Sequence, residues 1–228
     1  MRDMDIARFI DHTNLNPCAV ERDIETLCGE ALKWGFASVC INSCHVGFAA
    51  GLLAGSSVKV CSVVGFPLGA CDAECKSLEA AIAMKNGASE IDMVMNLSWL
   101  KDGFYDRVKE DIASVVESAP KCKIKVIIET CLLSDEEKIT ACGLIKEGGA
   151  HFVKTSTGFS RAGASVHDVQ LIRGAVGRGF GVKASGGIRD YESAVAMINA
   201  GADRLGTSSS VLICERAKII ETMQNSKV

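Results

Sequence analysis

His151-Phe-Val-Lys-Thr-Ser-Thr-Gly158 and Gly181-Val-Lys-Ala-Ser-Gly-Gly187 decide how this chain folds. In each, a short apolar run ends in a lysine and opens into a segment rich in Gly, Ser and Thr. Such a run reads as a buried strand with a loop at its C-terminal mouth. An ammonium at the end of a buried strand is costly to desolvate, so Lys154 and Lys183 need a reason to be there. One βα unit apart, the two can face the same pocket, where each disfavours the other's charge and lowers its pKa. A lysine lowered in this way is a free amine at neutral pH, able to attack a carbonyl and form a Schiff base.

Working outward, the same signature recurs. Ala37-Ser-Val-Cys-Ile-Asn42, Val58-Lys-Val-Cys-Ser-Val-Val64, Glu90-Ile-Asp-Met-Val-Met-Asn96 and Lys123-Ile-Lys-Val-Ile-Ile-Glu129 read as strands. His151–Lys154, Phe180–Lys183 and Asp203–Gly206 follow, and Arg8-Phe-Ile-Asp-His-Thr13 is an eighth, weaker candidate. Helical periodicity fills the gaps: Ile24, Leu27, Cys28, Ala31 and Leu32 mark one face, and Phe104, Val108, Ile112, Val115 and Val116 another. Ser134-Asp-Glu-Glu137 is a capping box opening a helix that ends near Gly148, and Ser165 with Asp168 starts a second. Asp190 is the expected N-cap of a third, ending at Gly201. Gly87-Ala88, Gly149-Ala150 and Gly201-Ala202, with the variant Gly35-Phe-Ala37, place glycine where a left-handed residue stops a helix just before a strand. Eight such units predict a (β/α)8 TIM barrel, α/β in class. It would be one domain over residues 1–228 with a short N-terminal helical segment. The rival is an open doubly wound sheet. The polar end, Met223-Gln-Asn-Ser-Lys-Val228, is expected to fray.

Composition narrows the function. The chain is 48% hydrophobic but only 5% aromatic, which suits strands buried on both faces. A net charge of −3 offers no basic surface for nucleic acid. No apolar stretch approaches the roughly 20 residues that span a bilayer, and Met1-Arg-Asp-Met-Asp-Ile does not resemble a signal peptide. A cytoplasmic protein without membrane or nucleic-acid partners is expected. The 11 cysteines lie mostly in apolar runs (Cys40, Cys61) or helical patterns (Cys28, Cys75, Cys142), with no C-x-x-C pair. They read as small core hydrophobes in a reducing compartment. His12, His45, His151 and His167 form no H-x-x-H spacing, so no dedicated zinc site is expected. Gly177-Arg-Gly-Phe-Gly181 precedes a strand instead of following one, and neither a P-loop nor a G-x-S-x-G elbow is present.

Six groups of residues carry the chemistry. Asp92 sits inside an otherwise apolar strand and needs a partner. Its role is either proton transfer, directly or through a water, or a structural salt bridge. Lys154 is the preferred nucleophile, against the plainer reading of a lysine paired for packing. Lys183 is either the cation that tunes Lys154 or a phosphate-binding lysine. Gly186-Gly187 and Gly206-Thr-Ser-Ser-Ser210 follow the last two strands, where such barrels bind phosphate through backbone amides. Asp11-His-Thr-Asn-Leu-Asn-Pro17 either binds substrate hydroxyls or caps the next helix with Pro17 near its first turn. Cys40 and Asn42 either line the same mouth or, for Cys40, form part of the core.

Together these stretches resemble the deoxyribose-phosphate aldolases. The resemblance rests on Asp11-His-Thr-Asn-Leu15, Ser38-Val-Cys-Ile-Asn42, Val64-Gly-Phe-Pro-Leu-Gly69 and Glu90–Asn96. It continues through Phe152-Val-Lys-Thr-Ser-Thr-Gly-Phe159 and Val182-Lys-Ala-Ser-Gly-Gly-Ile-Arg189, in order from Asp5 to Leu212. It implies a class I aldolase on a TIM barrel that reversibly cleaves 2-deoxy-D-ribose 5-phosphate to acetaldehyde and D-glyceraldehyde 3-phosphate, with no metal or organic cofactor. Carried over, Lys154 is the Schiff-base lysine, Lys183 its pKa-lowering partner and Asp92 the acid/base working through a water. Gly158, Gly186, Gly187, Gly206, Ser208 and Ser209 match the phosphate loops, while Thr13, Asn16, Cys40 and Thr157 match positions near the sugar. A homodimer is implied. Phe159 stands where some members have a lysine, so Arg161 or Arg189 is expected to supply that charge. No tyrosine follows Tyr191, which leaves a tail-assisted proton relay without its residue. Two rivals stay open: another Schiff-base aldolase for a phosphorylated sugar acid, and a non-catalytic phosphate-binding barrel.

Overall fold

Short apolar strands with both faces covered have one economical arrangement, a cylinder lined by side chains and jacketed by helices. A computed structural model, which describes residues 5–225, shows this closure. The strands are β1 (Ile10–Asn14), β2 (Ser38–Ile41), β3 (Lys59–Val64), β4 (Glu90–Val94), β5 (Lys123–Ile127), β6 (Phe152–Lys154), β7 (Gly181–Ser185) and β8 (Arg204–Thr207). All neighbours are parallel and in sequence order, and β8 returns to pair with β1. The open sheet is thereby excluded. A 3-10 turn, Ile6–Phe9, precedes β1. The outer helices are α1 (Glu21–Trp34), α2 (Val46–Leu52), α3 (Ala73–Lys85), α4 (Leu97–Lys101), α5 (Tyr105–Ser118), α6 (Asp135–Glu147), α7 (Val166–Val176), α8 (Tyr191–Ala200) and α9 (Ser210–Asn225).

The stop and start signals act as the sequence implies. Ser134 and Glu137 form the capping box of α6, Ser165 accepts from the Asp168 amide, and Asp190 accepts from the Ser193 amide. Gly35, Gly87, Gly149 and Gly201 take positive φ of 69°, 107°, 79° and 115° at the helix-to-strand joints. Several boundaries differ from the periodicity. Leu32 and Phe104 are exposed at the edges of their helices, and Cys75 lies on the solvent side of α3. Pro17 stands in a loop, because α1 starts only at Glu21 with Val20 as its N-cap. The apolar runs of β4 and β5 extend past their strands: Asn96 caps α4, and Glu129 turns into the left-handed region. α9 continues to Asn225, and the expected fraying of residues 226–228 lies outside the described residues.

Register brings the site together. Lys154 on β6 sits directly beside Lys183 on β7, and Asp92 on β4 beside Lys125 on β5. Side chains at alternate strand positions share a face, so Glu90 and Asp92 point the same way.

Candidate active site

Asp92 is the hub. It is fully buried, and its Oδ2 accepts from both Lys154 Nζ at 2.8 Å and Lys183 Nζ at 2.7 Å. Its Oδ1 accepts from Lys125 Nζ at 2.8 Å. Burial opposes ionisation of this carboxyl, but Lys125, Lys154 and Lys183 outweigh it and hold the group well below the usual carboxylate range. Lys183 also reaches Asp11 at 2.5 Å, Lys125 reaches Glu90 at 2.7 Å, and Arg204 bridges Asp11 and Glu90. Burial pushes the Lys183 ammonium toward neutrality, yet Asp11 and Asp92 together hold its pKa above the ordinary lysine value. Lys183 thus favours its charged form beside Lys154.

The cluster has one cation to spare. Asp11, Glu90 and Asp92 face Lys125, Lys154, Lys183 and Arg204. Lys125 and Lys183 are sealed, whereas Lys154 alone of the four also lines an open pocket of about 700 Å3. Of the cluster's lysines, Lys154 is the one a substrate carbonyl can reach.

The pocket runs from Lys154 to the loops after β6, β7 and β8. Thr13, Asn16, Thr157, Gly158, Gly186, Gly187, Gly206 and Ser208 all line it. Gly158, Gly186 and Gly187 have φ of 86°, 83° and 80°, conformations that suit glycine. Among the described residues the amides of Gly158, Gly187 and Ser208 have no acceptor, so an anion can take them. Gly206 is pinned from below: a Cβ there would lie 2.9 Å from Ser185 Cβ and 3.1 Å from Lys183 Cε.

Three expected contacts are placed elsewhere. Cys40 does not line the pocket; it is fully buried in a small cluster with Leu15, Cys61 and Val63, its Sγ 3.9 Å from Asp92 Oδ2. Ser209 does not line the pocket, and its amide is taken by Thr207 Oγ1 at 2.9 Å. Arg161 is turned away to the Cys131 carbonyl, while Arg189 lines the pocket beside Phe159 and is the cation available there. The Phe159 ring meets Phe66 edge-on at 5.3 Å.

Other parts of the site escaped the sequence reading. Lys125, Glu90 and Arg204 belong to the ionic cluster. Charged residues two apart in apolar runs (Glu90 and Asp92, Lys123 and Lys125) were the available signal. His12 lines the pocket between Glu30 Oε2 at 2.7 Å and Ser210 Oγ at 2.8 Å. Burial lowers its pKa against the pull of Glu30, so the neutral ring with Nε2–H donating to Glu30 fits these contacts.

Among the described residues two groups have ligand atoms close enough for a metal, and neither suits one. Cys40, Cys61 and Asp92 lie within 4.8 Å of one another, but a cation there would sit among three lysines. Asp135, His167 and Asp168 are already bridged by Lys138, at 2.9 Å and 2.6 Å from the two aspartates.

Comparison with known proteins agrees with this geometry. The model of the DeoC/LacD family aldolase matches residues 6–215. A deoxyribose-phosphate aldolase of Caldanaerobacter subterraneus subsp. tengcongensis is 57% identical over 94% of each chain. Among solved structures, "QR15, an Aldolase" superposes with a TM-score of 0.93 at 41% identity, covering 97% of this chain and 99% of that one. The tetrameric deoxyribose phosphate aldolase from Aeropyrum pernix superposes at 0.88 with 36% identity, covering 93% and 91%.

Proposed function

Because the chain belongs to the DeoC/LacD family of aldolases, we propose that it cleaves 2-deoxy-D-ribose 5-phosphate reversibly to acetaldehyde and D-glyceraldehyde 3-phosphate. The observation that carries this reading is the sharing of one carboxylate oxygen, Asp92 Oδ2, by Lys154 and Lys183 at the floor of a pocket walled by free amides.

Lys154 attacks the C1 aldehyde of the open sugar and expels water, leaving a protonated imine. That imine is an electron sink. Loss of the C3 hydroxyl proton breaks the C2–C3 bond, glyceraldehyde 3-phosphate departs and an enamine stays on Lys154. Protonation at C2 and hydrolysis release acetaldehyde and restore the amine. A carboxylate held as low as Asp92 is a weak base by itself. It acts by fixing both lysines and, through a water, by taking the C3 hydroxyl proton and returning it to C2 of the enamine. Lys183 keeps a positive charge beside the reacting nitrogen. Gly158, Gly186, Gly187, Gly206 and Ser208 hold the phosphate, with Arg189 in place of the lysine that Phe159 replaces, and Thr13, Asn16 and Thr157 border the sugar. The sugar-acid alternative asks for a second arginine at the donor end, and among the described residues Arg189 is the one arginine lining the pocket. The reading includes one barrel domain over residues 1–228, a cytoplasmic site of action and a homodimer.

Turnover tests it. The protein, assayed in the presence of a chelator, is expected to release acetaldehyde from 2-deoxyribose 5-phosphate, and Lys154→Ala to abolish release. An inert wild-type protein would leave the phosphate-binding barrel as the better reading.

A further inference from the structure

Three buried acids among the described residues stand outside the ionic cluster: Asp111 and Asp168 are paired with Lys76 and Lys138, whereas Glu129 has no ion pair. Glu129 is 4% exposed, at the mouth of β5, and does not line the pocket. Its backbone φ is 48°, the one positive φ of a non-glycine residue among those described. A bulky side chain held in that region marks a place where the surroundings enforce the conformation. What its carboxylate does there is specific. It accepts from the Thr157 amide at 3.2 Å and from the Thr157 hydroxyl, and these are its side-chain hydrogen bonds. The Thr157 hydroxyl oxygen in turn accepts from the Phe159 amide at 3.1 Å. The turn over residues 157–159 therefore spends two of its amides inward, and the Gly158 amide between them is left for the pocket. The Thr130 amide ties the same two loops together by donating to the Thr155 carbonyl at 2.9 Å.

We infer that Glu129 is a positioning residue for the phosphate end of the site: by holding both donors of Thr157 it aims the Gly158 amide at the substrate phosphate. The inference rests on the aldolase reading for the identity of that phosphate. An acid is required because both Thr157 groups are donors; the carboxylate oxygens accept them without offering a competing donor, whereas a glutamine amide presents its own N–H groups.

The test uses two variants of the whole protein, Glu129→Gly and Glu129→Gln, and two readouts. Glycine takes a positive φ freely, so Glu129→Gly removes the carboxylate without backbone strain. Calorimetric titration with inorganic phosphate is expected to show binding about tenfold or more weaker in both variants, the size of a lost charge-assisted contact. KM for 2-deoxyribose 5-phosphate rises by the same factor, while kcat/KM for unphosphorylated 2-deoxyribose, whose sugar Thr157 also borders, falls by clearly less. Unchanged phosphate binding, or equal losses on both sugars, would overturn the inference. A wild-type protein that binds phosphate through Glu129 but cleaves neither sugar would overturn the aldolase reading instead.

Discussion

Lys125→Met removes a charge that the barrel cannot replace. Lys125 is fully buried, 2.7 Å from Glu90, 2.8 Å from Asp92 and 3.8 Å from Asp11. Methionine keeps much of the length and apolar stem, so the loss is chiefly electrostatic. Three carboxylates then face Lys154, Lys183 and Arg204, with no cation to spare. Removing one partner of a buried ion pair costs about 3–5 kcal/mol. For a chain of this size about 1 kcal/mol moves Tm by 2–4 °C, so a fall of roughly 6–20 °C is expected in a thermal scan followed by circular dichroism. The double variant Lys125→Met/Glu90→Gln removes one charge of each sign and is expected to regain about 1–3 kcal/mol relative to the single variant. Function follows the same contacts. In Lys125→Met Asp92 Oδ1 loses its lysine and the carboxylate is held only through Lys154 and Lys183, so Schiff-base trapping at neutral pH falls, and the double variant restores part of it. A Tm loss below about 3 °C, or a double variant no more stable than the single one, would refute the charge-balance argument.

Two further predictions use the same geometry. Asp92 and Asp11 are held below the usual carboxylate range by their lysine neighbours against the cost of burial. The unfolded chain takes up these protons first, near pH 3.9, so their contribution is complete above that pH and is lost as pH falls toward the lower folded values. The urea midpoint is expected to hold from pH 7 to about 5 and to fall steeply below about 4; a flat profile to pH 2 would contradict it. At Gly163 an added Cβ would lie 2.1 Å from the Gly186 carbonyl oxygen, whereas at Gly29 on α1 it would meet nothing. Gly163→Ala is therefore expected to displace the β7 loop and raise KM for the phosphorylated sugar, and Gly29→Ala to leave KM alone and add about 0.5–1 kcal/mol of stability; equal KM values in both variants would contradict this.

The barrel was legible because its signals are local. Each strand is a short apolar run bounded by glycine or polar residues, and helices such as α3, α6, α7 and α8 carry their own side-chain caps. β1 was the faint one, since Ile10-Asp-His-Thr-Asn14 carries Asp11 into the ionic cluster and His12 to Glu30. Lys154, Lys183 and Asp92 stood out as charges in apolar strands near Gly-rich loops. Lys125 escaped because Lys123, two residues before it, makes the start of that run look like an ordinary exposed strand end. What distinguishes Lys125 is its register opposite Asp92, and register is a property of two strands. Cys40 shows the converse. Its place near a strand end points to the mouth, but alternation alone does not give exposure, and it is sealed beside Cys61 with its Sγ 3.9 Å from Asp92. Glu129 had no sequence signal at all, because its significance lies in a backbone angle and in a partner 28 residues away.

Borohydride reduction in the presence of 2-deoxyribose 5-phosphate, followed by peptide mass mapping, tests the central claim most directly. The account predicts one stable adduct, on Lys154, absent without sugar and lost in Lys154→Arg. An adduct on Lys183 or Lys125, or none while the sugar is being consumed, would contradict it.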